Sequence, residues 1–181
     1  FGSLDSGNTA VWNAAAFAPV AAAGNRYVFV YQPTLTFAPA DATKTYGEIG
    51  ALTYTVGGLM PGVAGAYLGD TATTAYSGAP LLSSAGSPSA ANVGTYAITV
   101  ADNGLTSAAG YAFAFINAGQ LTVTPATLTV TASDGTMVYG DPVAGLSYSV
   151  SGWKNGQGDS LLDGVTLATD ATSTSNVGNS Y

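Results

Sequence analysis

The chain has 181 residues, a length for one or two ordinary domains, and carries only three basic residues against ten acidic ones, for a formal charge of −7. So few Lys and Arg exclude a surface built to displace phosphate counterions from nucleic acid or to be drawn to an anionic bilayer. The lack of Cys and His removes disulfides, thiolate metal sites and the commonest general base, and no run reaches the roughly 18 apolar residues of a transmembrane helix.

Residues 1–33 stand outside the repeated pattern of the rest of the chain and read as a leader or connector, the end of an upstream region. Residues 1–9 are turn-rich, and the alanine-rich piece around Trp12 and Phe17 has no clean helical period. Residues 10–23 are the most apolar stretch, but Asn13 and Pro19 break it and no basic region precedes it, so it does not read as a signal peptide. Tyr27-Val28-Phe29-Val30-Tyr31 predicts one strand, stopped by Pro33. The chain opens on Phe1 rather than Met, which reads as a piece of a longer protein.

Residues 34–126 form a first unit. Leu35-Thr36-Phe37 alternates apolar and polar, placing Leu35 and Phe37 on one face of a strand. Tyr46-Gly47, followed by Glu48, marks a turn or bulge where glycine frees the backbone and the ring packs back. Leu52, Tyr54 and Val56 alternate with Thr53 and Thr55 in the clearest half-buried strand, closed by Gly57-Gly58. Residues 57–92 are loose, with a helical turn expected at 63–68. Asn92-Val93-Gly94 then leads into strands at 95–100, 111–115 and 121–123, with a turn at Asp102-Asn103-Gly104.

Residues 127–181 repeat this order. Leu128 lies 93 residues after Leu35, Tyr139-Gly140-Asp141 lies 93 after Tyr46-Gly47-Glu48, Tyr148 lies 94 after Tyr54, and Gly178 lies 84 after Gly94. Ordered landmarks at nearly constant offset mean a duplicated unit, the second copy about ten residues shorter in one loop. It is expected to hold a turn of helix at 159–162 and a Thr-rich strand at 165–169. It stops just after Asn176-Val177-Gly178, so it reads as C-terminally incomplete. Pro125 makes a short, stiff joint. The expected fold is all-β, with tandem small Ig-like β-sandwich repeats; the alternative is a β-grasp-like repeat with one short helix.

These residues resemble the MBG repeats, mostly-β, glycine-rich domains of large bacterial surface proteins. The matching elements are Leu-Thr-Val-Thr-Pro at 121–125, Tyr-Gly-acid at 46–48 and 139–141, Leu-x-Tyr-x-Val before glycine, and Asn-Val-Gly before a Tyr-containing strand. The leader is similar to the segment preceding such repeats in filamentous-haemagglutinin-like exoproteins. That resemblance implies an adhesin or matrix fibre at the bacterial cell surface, exported through an outer-membrane secretion pore, and it supplies no catalytic residues.

The chemistry-bearing residues point the same way. A Ser-Lys nucleophile would have to use Lys44 or Lys154, both in turn contexts, and Glu48 and Asp141 sit in separate repeats rather than as a carboxylate pair roughly 5–10 Å apart. Asp134 with Asp141, and Asp159 with Asp163, are weak calcium candidates lacking the dense spacing of a calcium loop. No other cofactor is expected. Tyr46, Gly47, Tyr54, Gly94, Tyr139, Gly140, Tyr148 and Gly178 are read as a structural signature, while Trp12 and Trp153 are candidate surface or interface aromatics.

The expected function is therefore a structural, non-enzymatic segment of an extracellular adhesin or surface fibre, a stiff stalk of stacked β repeats that could polymerise by strand addition. Its partners would be neighbouring repeats or copies of itself. The alternative is a module that binds carbohydrate or a host surface through exposed Tyr and Trp.

Overall fold

The computed structural model describes residues 4–178. Its strands are β1 (Thr34–Pro39), β2 (Ala42–Thr45), β3 (Tyr54–Gly57), β4 (Leu81–Ser83), β5 (Gly94–Ala101), β6 (Ala112–Phe115), β7 (Gly119–Thr124), β8 (Thr129–Ala132) and β9 (Tyr148–Ser151). One helical turn, α1 (Ala72–Ala75), and one 3-10 turn (Asp159–Leu161) accompany them. The chain is all-β, with sandwich-like repeats.

Two segments carry the first unit, 34–45 and 112–124, which run parallel and each break once. Before the breaks, β1 lies between β3 and β6; after them, β2 and β7 join β5 and β4 in the order β2-β7-β5-β4. The β1–β6 and β2–β7 pairs are parallel and the others antiparallel. The breaks meet where Gly119 packs on Pro39, so closely that a Cβ there would lie 2.9 Å from the proline ring. Pro39 ends β1 because proline has no N–H for the ladder, and the Asp41 carboxylate accepts the Gln120 N–H (2.8 Å) across the gap. Parallel first and last strands and one short helix are features of the β-grasp alternative too; distribution of both long segments over two sheets is the sandwich feature.

Alternation decides what is buried. Leu35 and Phe37 are fully buried, and Phe37 meets the rings of Tyr54, Tyr76, Phe113 and Phe115 at 5.2–5.9 Å between centroids. Each such side chain contributes about 1.5–3 kcal/mol through burial. Further along, Ile98, Leu121 and Val123 are also buried, with Gly86 against the Tyr96 ring and both Gly86 and Gly50 against Leu121.

The second unit reproduces the start of this design in register. In the first, Phe37 faces Val56 and Pro39 faces Tyr54; in the second, Val130 faces Val150 and Ala132 faces Tyr148. Yet Phe37 is fully buried and Val130 is 42% exposed. The flank of β1 that carries β6 has no strand counterpart at β8 among the described residues.

Three sequence expectations need correcting. Residues 27–31 make only an isolated bridge, Val28 with Val11; Tyr27 and Phe29 still face inward, but no strand extends the pairing. Residues 165–169 form no strand. They lie 84 residues after β4, which needs β5 as its partner, and the second unit has no such strand among the described residues. Residues 63–68 form a tight Val63–Tyr67 bridge rather than a helical turn, and the turn of helix falls at 72–75 instead.

Candidate interaction surface at the repeat joint

The joint is built from the Tyr-Gly turn of the first unit. The Tyr46 N–H donates to the Thr124 carbonyl (2.8 Å), the Gly47 N–H to the Ser89 carbonyl (3.0 Å) and the Glu48 N–H to the Thr45 carbonyl (3.1 Å). The Glu48 carboxylate accepts the Thr45 N–H (3.0 Å). Gly47 has φ +93°, which strains any residue with a Cβ. Lys44, 5% exposed, holds the turn from beneath: its Nζ donates to the Glu48 (2.9 Å), Ser87 (3.3 Å) and Pro88 carbonyls. A buried ammonium is costly unless its donors are used, and here the backbone uses three.

The other half is the loop after β9. Gly152, at φ +97°, lies where a Cβ would come within 2.4 Å of the Thr127 carbonyl oxygen, as one on Gly58 would come within 2.2 Å of the Thr34 carbonyl oxygen. This shared glycine throws the next residues outward. Trp153 donates its indole N–H to Asp159 (3.1 Å), and the Gln157 N–H closes a turn onto the Lys154 carbonyl (2.9 Å). The Lys154 stem then lies over Gly47, so closely that a Cβ on Gly47 would fall 2.6–2.7 Å from three of its carbons. Asn155 Nδ2 donates to the Ser89 carbonyl (3.0 Å), the oxygen that also receives the Gly47 N–H. Beside this contact lies an open hollow of about 330 Å³ lined by Tyr46, Asn92, Val93, Pro125, Trp153 and Gln157.

The equivalent loop of the first unit meets the leader. Twenty-two residues separate Gly58 from β4, against twelve between Gly152 and Val165, and the longer loop receives residues 6–12. Ser6 N–H donates to Ala66 and Leu68 N–H to Asn8, while Trp12 N–H donates to Ala109 in the β5–β6 connection, all at 2.8–2.9 Å. Trp12 is 4% exposed and stacks on Phe29 at 4.7 Å. Its indole N–H and the Tyr111 hydroxyl (2.5 Å) both donate to Asp70 Oδ2. Burial, and then the hydrogen bond to Asp70, push the Tyr111 pKa well above the usual tyrosine value. Trp12 is thus a buried interface aromatic between leader and first unit, while Trp153 is half-buried at the joint.

The repeat signature is divided by the fold. Tyr46 and Gly47 lie at the joint and Tyr54 against Phe37, with Gly94 opening β5. In the second unit Gly140 has φ +94° and its N–H donates to Ser173 (2.8 Å), reproducing the Gly47–Ser89 bond 84 residues on at the acceptor. There, Tyr139 is 61% exposed and a Cβ on Gly140 would meet nothing within 4 Å. Tyr148 is 38% exposed, and Gly178 has φ +86°. Among the described residues no three acidic side chains converge on a possible metal site, and Asp159 accepts the Trp153 indole N–H. No described helix is long and apolar enough to cross a membrane. Asp70 carries no pattern that singles it out, and Lys44 reads from sequence only as a turn residue, although Met137, its apolar counterpart, marks that position as inward-facing.

Comparison with known proteins agrees with the internal repeat. The family description MBG domain (YGX type) matches residues 35–122 and 128–181. No curated protein and no solved structure matches the chain.

Proposed function

Because the chain belongs to the MBG domain family of YGX type, we propose that it is a structural, non-enzymatic segment of an extracellular bacterial adhesin or surface fibre. Its work is mechanical. Each unit buries its own apolar face, and successive units meet through a fixed contact, so the array holds a distal region away from the cell as a stiff stalk. The observation that carries this reading is the joint itself: Pro125 leaves little slack, while Lys154 and Asn155 engage Gly47 and the Ser89 carbonyl. Export through an outer-membrane pore and a surface location belong to the same family reading.

The free flank of β8 adds a route to polymerisation. In the first unit that flank of β1 receives β6 in parallel register, Phe37 opposite Phe115. A strand of similar alternation supplied by another chain would complete the second unit in the same way. Small-angle scattering of the full chain tests the stalk: an elongated particle of constant shape is expected, and a compact globule overturns the reading.

A second reading, a carbohydrate-binding module, draws on the hollow lined by Tyr46, Trp153, Asn92 and Gln157. A glycan array separates the two. Binding that disappears in Trp153→Ala favours the module, whereas no binding leaves the stalk.

A further inference from the structure

We infer that the exposed Tyr139-Gly140 turn is a preformed docking site for a further MBG unit, and that its ligand is a Lys-Asn-Gly turn of the kind at residues 154–156. The inference deepens the stalk reading and rests on it.

Each unit has two faces. The loop after the shared glycine meets whatever precedes the unit: the leader packs on the loop after Gly58, and the first unit packs on the loop after Gly152. The Tyr-Gly turn meets the next unit along the chain, as Gly47 meets Lys154. The second unit has the same turn with two of its internal bonds. Gly140 N–H donates to Ser173 as Gly47 N–H does to Ser89, and Asp141 N–H donates to Val138 as Glu48 N–H does to Thr45. The left-handed φ is also equal within a degree, +93° and +94°.

What differs is occupancy. A Cβ on Gly47 would collide with the Lys154 stem, whereas one on Gly140 would meet nothing. Tyr46 is half-buried beside Trp153, whereas Tyr139 is 61% exposed. The Ser173 carbonyl, like that of Ser89, has a second lone pair for an amide donor. A turn with the geometry of 152–158 can therefore lay its lysine stem across Gly140 and aim its asparagine amide at the Ser173 carbonyl. The occupant is fixed by this template: a lysine whose stem supplies apolar cover, then an asparagine. A bulky or β-branched residue in place of Gly140 would block this approach, in addition to straining the left-handed backbone.

The probe is a head-to-tail cyclised peptide copying residues 152–158, titrated to millimolar concentration into the full chain with amide resonances tracked by NMR. Saturable shifts centred on Gly140, Ser173 and Thr174, weakened at least tenfold when the peptide asparagine is replaced by Ala, are expected. Gly47 and Ser89, engaged by the chain's own loop, should move little. Three results overturn the inference: no saturable shift at Gly140, equal shifts with the Ala peptide, or a response centred on Gly47. Any of them would leave the existing Gly47–Lys154 joint, and the stalk reading built on it, to be judged by scattering.

Discussion

Gly57 and Gly58 are neighbours with opposite duties. Gly57 faces open space and its counterpart is Ser151, whereas Gly58 (φ +86°) abuts the Thr34 carbonyl and its counterpart is again glycine. Gly58→Ala should therefore destabilise the first unit by more than about 1 kcal/mol, from the left-handed φ and the clash together. Gly57→Ala should be neutral or slightly stabilising, and denaturant titration of the two variants separates them. Tyr111 makes a pH prediction. Its folded pKa is raised above the unfolded value, so its contribution is full below about pH 10 and is lost as pH rises toward the folded pKa. Stability measured by denaturant unfolding across the alkaline range should fall less steeply for Tyr111→Phe than for the parent. At this scale the repeated glycines were legible, because φ above zero restricts residue choice. The Trp12–Asp70–Tyr111 cluster was not, since its members lie 41 and 58 residues from Asp70 and share no spacing rule.

Strands were readable where both their faces and their partners lie within the chain. The alternation in 35–37 and 95–100 became β1 and β5, and the 93- and 94-residue offsets reappear as identical register in the β1–β3 and β8–β9 pairs. Residues 165–169 failed because alternation specifies a face, and a strand also needs a neighbour to bond. Lys44 was misread as a turn residue because lysine is rarely buried; its ammonium instead ties segment 87–88 to the turn at Glu48. Lys44→Met, the residue found at its counterpart 137, should cost about 1–3 kcal/mol by leaving carbonyls unpaired. Amide exchange at Gly47 and Gly50, which bond to Ser89 and Ser87, should accelerate. The leader behaves as a separate element. Trp12→Ala should undock it, so that residues 4–30 become sensitive to protease while the first unit stays folded. Protection equal to the parent would mean that the Asp70 contact does not hold it.

At the scale of the whole molecule, the design is a chain of units in which one loop looks back and one turn looks forward. That logic was partly written in the sequence: the repeat gave the units and Pro125 the short joint, but only the fold shows that Tyr46-Gly47 meets Lys154-Asn155, because the residues on either side of a joint need not resemble each other. The fixed joint is the central claim, and the absence of native cysteine makes it directly measurable. Spin labels on cysteines introduced at exposed Ala97 in β5 and exposed Ser149 in β9 report the distance between units by pulsed electron resonance. A single narrow distance distribution is predicted, broadening in Gly47→Val, where the added side chain collides with the Lys154 stem. A broad distribution in the parent, or no change on Gly47→Val, would contradict the account.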